Sequence, residues 1–132
     1  MEKLEHIGIA VKNMEQSNAL FASLLGQAHY KIETVDSEGV RTSFFNIGGV
    51  KIELLEATKN DSPIARFIEK KGEGIHHLAF SVSDVAESIE QYKKKGFEVI
   101  SELPKRGADD KIICFLHPKS TGGVLIELCQ DI

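Results

Sequence analysis

Four ionisable side chains stand in otherwise apolar stretches of this 132-residue sequence: His6 in LEHIGIAV, Glu53 in GGVKIELLE, His77 in GIHHLAFSV and Glu127 in GGVLIELCQ. A carboxylate in a strand this apolar is costly to bury unless it is paired or bound to a cation. Two neutral imidazoles and two carboxylates balance the charge of a divalent ion, and in an octahedron they leave two positions open to water or substrate oxygens. Nitrogen and oxygen donors without thiolate suit Co²⁺, Mn²⁺, Ni²⁺, Fe²⁺ or Zn²⁺, and donor type alone does not choose among them. A lone histidine or glutamate in a strand is more often structural. Here the four recur at matched positions, a coincidence that separate structural explanations would not produce.

The matching is a repeat. Leu4–Gly26 sits beside Ile75–Gly96, with His6 to Val11 at the same spacing as His77 to Val82. Phe44–Glu56 sits beside Cys114–Gln130, pairing Glu53 with Glu127 across a second turn that is longer by three residues. Internal periodicity of this kind decides architecture before any single motif does. His76 competes with His77 for the matched position. Neighbouring strand residues face opposite ways, and the valine register favours His77, leaving His76 to the core or to the support of a ligand. His29 is expected at the surface.

Each copy needs a strand, a helix and three more strands to carry these residues. His6–Val11 and His77–Val82 are short β-rich runs. Asn13 with Gln16, and Asp84 with Glu87, have the spacing of a capping box, and Gly26 and Gly96 stop the helices that follow. Met14, Leu20, Phe21, Leu24 and Leu25 in one helix, and Val85, Ile89 and Tyr92 in the other, recur on one face. Strands are predicted at 28–35, 40–47 and 50–57 in the first copy, and at 98–103, 111–117 and 123–130 in the second. Ser62-Pro63 opens a short linking helix with proline in its first turn. Alternation puts Lys51, Glu53 and Leu55 on one strand face against Ile52 and Leu54, and Leu125, Glu127 and Cys129 against Ile126 and Leu128. The expected class is therefore α+β: two βαβββ repeats, about 1–57 and 74–131 with a linking helix about 62–72, in a single domain 1–132. Facing sheets of this kind would make a half-open barrel with the four ionisable residues converging inside it.

Composition narrows the function. Sixteen Lys and Arg against twenty Asp and Glu leave a net charge of −4, which does not provide the cationic surface that nucleic-acid binding needs. No apolar run nears the roughly 20 residues that cross a bilayer, and the opening MEKLEHIGIA is charged where a signal peptide is apolar. A cytoplasmic protein is expected, with no membrane and no nucleic acid among its partners. Cys114 and Cys129 lack any paired spacing, so they read as reduced, part-buried thiols.

HIGIAV, FFNIGGVKIELLE, DSPIARFIEKKGEGIHHLAF and FLHPKSTGGVLIEL resemble the vicinal oxygen chelate superfamily (glyoxalase, bleomycin resistance and dioxygenase proteins), and within it the methylmalonyl-CoA epimerase family. The resemblance spans nearly the whole chain. It implies interconversion of (2R)- and (2S)-methylmalonyl-CoA by a homodimer holding one divalent ion per chain, with Co²⁺ favoured. The ligand set it implies is His6, Glu53, His77 and Glu127. An α-proton must leave and return on the opposite face of an enolate, which calls for two bases, and Glu53 and Glu127 are the candidates. Some family members carry glutamine at the position of Glu53 and a base carboxylate on the preceding strand. This chain has Thr42 there, so base duty falls to Glu53 or to Glu127. Lys119 and Ser120, in a turn at the pocket's edge, are candidates for binding the acyl carboxylate or the CoA phosphates, with Lys105-Arg106 as rivals. A glyoxalase I-type lyase or isomerase acting on a thiol hemiacetal would use a similar set. A non-catalytic drug-binding module of the same fold would need an apolar groove instead. An extradiol dioxygenase would need Fe²⁺ with one carboxylate, and the second argues against it.

Overall fold

A computed structural model describes all 132 residues. Its elements are β1 (Lys3–Ala10), α1 (Met14–Leu25), β2 (Lys31–Val35), β3 (Val40–Ile47), β4 (Val50–Ala57), α2 (Pro63–Lys71), β5 (Gly74–Ser81), α3 (Val85–Lys94), β6 (Lys105–Gly107), β7 (Lys111–Leu116) and β8 (Ile126–Asp131). The order is βαβββ, a linking helix, then βαβββ again, which is the α+β class expected from the repeat.

The chain forms two compact units, one of Ile7–His76 and the other of Met1–His6 with His77–Ile132. In the first, the strand order is β2-β3-β4-β1, with β2, β3 and β4 antiparallel. Gly48 and Gly49, at φ 59° and 93°, make the two-residue turn between Ile47 and Val50. Two positive φ values in succession are what a tight hairpin loop of matching twist requires, and glycine adopts them without steric cost. Val11, Phe45 and Leu54 form a core with Ile52, Phe21 and Leu25 from α1, while Ala10, Leu55 and Ile64 form another with Phe67 and Ile68 from α2.

In the other unit the order is β1-β5-β8-β7-β6, β5 running parallel to β8 and β7 antiparallel to it. Val85 and Ile89 of α3 pack on Cys114, Leu116 and Leu128. Ala79, Ile113 and Cys129 form a smaller cluster with Phe115.

The helices begin as their sequences require. Asn13 accepts from the Gln16 amide and Asp84 from the Glu87 amide, both at 3.0 Å, and Ser62 accepts from Ala65 at 3.1 Å. A second device, not foreseen from sequence, ties each helix to the last strand of its own repeat. The Met14 amide donates to Glu56 Oε2 and the Val85 amide to Gln130 Oε1, each at 2.8 Å. Glu56 and Gln130 lie three residues beyond Glu53 and Glu127, so each helix is pinned beside the strand that carries the acidic residue.

One predicted strand fails. Residues 98–103 form none; Val99 makes an isolated bridge to Leu116, and the paired segment is Lys105–Gly107. Pro104 has no amide hydrogen to donate, so the ladder starts beyond it. Gly107 lies close against Ile113: a Cβ there would approach the end of the isoleucine side chain to 2.8 Å. No helix is long and apolar enough to cross a membrane.

Candidate metal centre

Glu127 interrupts β8 on the face turned away from α3, since Ile126 and Leu128 take the helix side. It stands opposite Ala79 on β5 and opposite Phe115 on β7. His77 lies two residues before Ala79, hence on the same face one pleat along. His6, on the part of β1 that belongs to this unit, completes the group.

The three are buried, each about 5% exposed. The Nε2 atoms of His6 and His77 are 3.0 Å apart, and Glu127 brings Oε2 to 3.5 Å from the first and Oε1 to 3.4 Å from the second. Metal–nitrogen bonds of about 2.1 Å put neighbouring donors roughly 3.0 Å apart at a right angle and about 3.4 Å apart at a tetrahedral one. The donor atoms of His6, His77 and Glu127 are thus spaced as adjacent ligands of one ion. The rings meet edge to face, with centroids 5.1 Å apart, and the His77 ring also lies edge-on to Phe115 at 5.9 Å. The donor set and its spacing therefore fit a divalent cation.

Glu5 was missed by sequence reasoning. Strict alternation would send it away from His6, yet both are buried, and Glu5 Oε1 lies 2.6 Å from His6 Nδ1. An ionised carboxylate only accepts, so Nδ1 carries the hydrogen and the Nε2 lone pair is left for a ligand bond. The only sequence signal was the ionisable residue directly before His6.

Glu53 belongs to the other unit. It is buried on β4 opposite Phe44, as Glu127 is opposite Phe115, and faces away from the Ile52 and Leu54 that pack toward α1. Thr42, opposite Leu55, is its buried diagonal neighbour on the same face. Lys119 and Ser120 occupy the turn Pro118–Ser120. Lys119 Nζ is 3.2 Å from Glu98 Oε2; Ser120 Oγ donates to the His117 carbonyl at 2.9 Å and accepts from the Glu98 amide at 3.1 Å.

His76 packs edge-on against Phe67, centroids 4.9 Å apart, and burial lowers its pKa from 6.5 to about 4. His29, expected at the surface, is instead half-buried edge-on to Phe45 at 6.0 Å. Cys114 and Cys129 are buried free thiols, as expected. Burial, and then the negative charge of Glu127, push the Cys114 thiol up to about 11, so it remains protonated at neutral pH.

Residues 5–115 match the model of the Glyoxalase/Bleomycin resistance protein/Dioxygenase superfamily. The chain belongs to this superfamily. Within the superfamily, it is similar to human mitochondrial methylmalonyl-CoA epimerase, 40% identical over 129 residues that cover 97% of this chain and 73% of the relative. An uncharacterised protein of Bacillus subtilis (strain 168) is also 40% identical, over 98% of this chain and 93% of its own. Among solved structures, a single-residue variant of Streptomyces coelicolor methylmalonyl-CoA epimerase in complex with 2-nitronate-propionyl-CoA is similar at a TM-score of 0.94 and 34% identity, over 99% of this chain and 95% of that one. These named epimerases are isomerases, and they place the chain among the superfamily's epimerase-like enzymes.

Proposed function

We propose that this chain interconverts (2R)- and (2S)-methylmalonyl-CoA by removing the proton on the carbon between thioester and carboxylate and returning one to the opposite face. The observation that carries the reading is the buried His6, His77 and Glu127 set, spaced as adjacent ligands in a chain whose relatives include epimerases of that substrate. His6, His77, Glu127 and Glu53 would hold one divalent ion, with Co²⁺ favoured and Mn²⁺, Ni²⁺, Zn²⁺ or Fe²⁺ as alternatives. When bound, such an ion supplies a Lewis acid for the thioester and carboxylate oxygens of the substrate.

The chain's own residues do the rest. Neutral His6 and His77 donate nitrogen without adding charge, so the ionised protein carboxylate and the carboxylate of the substrate would offset the cation. Glu53 and Glu127 are the acid–base pair: one begins ionised and takes the proton as the C–H bond breaks, while the other begins protonated and delivers to the far face of the planar enolate. Thr42 has no comparable basicity, which leaves the exchange to these two carboxyl groups. Lys119 and Ser120 are read as contacts to the acyl carboxylate or the CoA phosphates, and the chain as a cytoplasmic homodimer.

Hydrogen–deuterium exchange at the α-carbon of methylmalonyl-CoA, followed in deuterated water with metal-stripped and Co²⁺-restored protein, tests the reading. Exchange should be lost on stripping and return with the ion. No exchange in either form, together with turnover of the methylglyoxal–glutathione hemithioacetal, would replace the epimerase reading with a glyoxalase-type one.

A further inference from the structure

We infer that Glu5 is a positioning residue: with Lys111 behind it, its carboxylate holds His6 in the tautomer that presents Nε2 toward His77 and Glu127. This rests on the reading of His6 as a metal ligand and extends it to a side chain outside the repeat-matched set.

The geometry is a relay through one unit. Glu5 Oε1 is 2.6 Å from His6 Nδ1, and Glu5 Oε2 is 4.0 Å from Lys111 Nζ. Lys111 is itself paired with Asp131, its partner across the β7–β8 ladder. Glu5 is 4% exposed and the Lys111 side chain 12%, so the carboxylate keeps a cationic neighbour away from bulk water. A charged acceptor on Nδ1 fixes which nitrogen carries the proton, sets the ring plane and raises the basicity of the other nitrogen.

The second repeat carries different residues at these places. The residue before His77 is His76, whose ring is taken up by Phe67, and His77 is steadied by the edge of Phe115. Lys111 and Asp131 correspond to Val40 and Ala57 in the first repeat. The Glu5–Lys111 pair is thus not reproduced by the repeat: His76 and Val40 stand at the matched positions.

The test compares the wild-type chain with Glu5→Leu and Glu5→Gln. Binding of Co²⁺ alone is measured by calorimetry, and ¹⁵N NMR of the metal-free protein reads the histidine tautomers. The wild-type spectrum should show His6 protonated at Nδ1. Glu5→Leu should redistribute that proton and weaken Co²⁺ binding by roughly 10–100-fold, the range seen when the outer partner of a metal-bound histidine is removed. Glu5→Gln, whose amide oxygen still accepts, should retain the tautomer and lose less than Glu5→Leu. A merely structural role would lower the melting temperature of the metal-free protein without moving the tautomer. Wild-type Co²⁺ binding with unchanged affinity in Glu5→Leu overturns the inference, as does His6 protonated at Nε2 in the wild type. A wild-type chain that binds no Co²⁺ overturns the underlying metal reading, and this inference with it.

Discussion

The Nε2 atoms of His6 and His77 stand 3.0 Å apart although 71 residues separate them in the chain. Two neutral imidazoles at this distance either share one hydrogen or direct their lone pairs at a common cation. The Glu5 carboxylate on His6 Nδ1 keeps the His6 Nε2 lone pair on the near side, where it accepts from His77 Nε2–H in the metal-free protein and is available to a cation. Glu127 reaches both nitrogens with different oxygens, so it closes the triangle.

Replacing Glu127 should therefore cost more than replacing any outer partner. Glu127→Ala is expected to reduce Co²⁺ affinity by more than the roughly 100-fold upper range for such partners, and to abolish exchange. Calorimetry on the metal-free variant checks this, and a Co²⁺ affinity equal to wild type would remove Glu127 from the ligand set.

Glu53→Gln separates ligand from base. An amide oxygen still coordinates but takes no proton, so the variant should keep its ion while α-proton exchange in deuterated water drops by roughly 10²–10⁴-fold, the usual worth of a positioned acid or base. An unchanged exchange rate would move base duty away from Glu53.

Gln130 and Glu56 tie the helices to the acid-bearing strands, and Gln130→Ala removes one tie. The Val85 amide then loses a part-buried acceptor, which should destabilise the protein by about 1–3 kcal/mol in urea denaturation, with Co²⁺ affinity unchanged. A stability loss under about 0.5 kcal/mol would mean that water replaces the glutamine oxygen at no cost.

His76 makes stability depend on acidity. Its folded pKa of about 4 lies below the ordinary 6.5, so between those values the unfolded chain binds the extra proton. Stability is untouched above pH 6.5, falls as the pH drops toward 4, and levels off below it. Partial exposure keeps the loss to at most about 3 kcal/mol. Urea titrations of metal-free wild type and His76→Gln at pH 7 and pH 4.5 should show a smaller acid loss in the variant; parallel losses would assign the acid sensitivity elsewhere.

Most of the architecture was legible in the chain itself. Helix and strand periods, the N-caps and the glycine turn at 48–49 are local properties, and duplication displayed the periods and the Asn13 and Asp84 caps in both copies, although Leu20 and Leu24, grouped by period with the apolar face of α1, are exposed. The matched His6 and His77, and Glu53 and Glu127, were legible for the same reason, since a residue that breaks an apolar pattern in both copies stands out. Tertiary structure decided what depends on neighbours distant in sequence. The strand expected at 98–103 gave way to Lys105–Gly107 because pairing to β7 needs an amide that Pro104 lacks, so the ladder begins just beyond it. His29, partly exposed, also meets the Phe45 ring. Glu5 is buried beside His6 with the Lys111 ammonium, more than a hundred residues away in the chain, 4.0 Å from its carboxylate. Alternation follows from backbone geometry, whereas whether a face is covered, and which charge meets it there, depends on residues far apart in sequence.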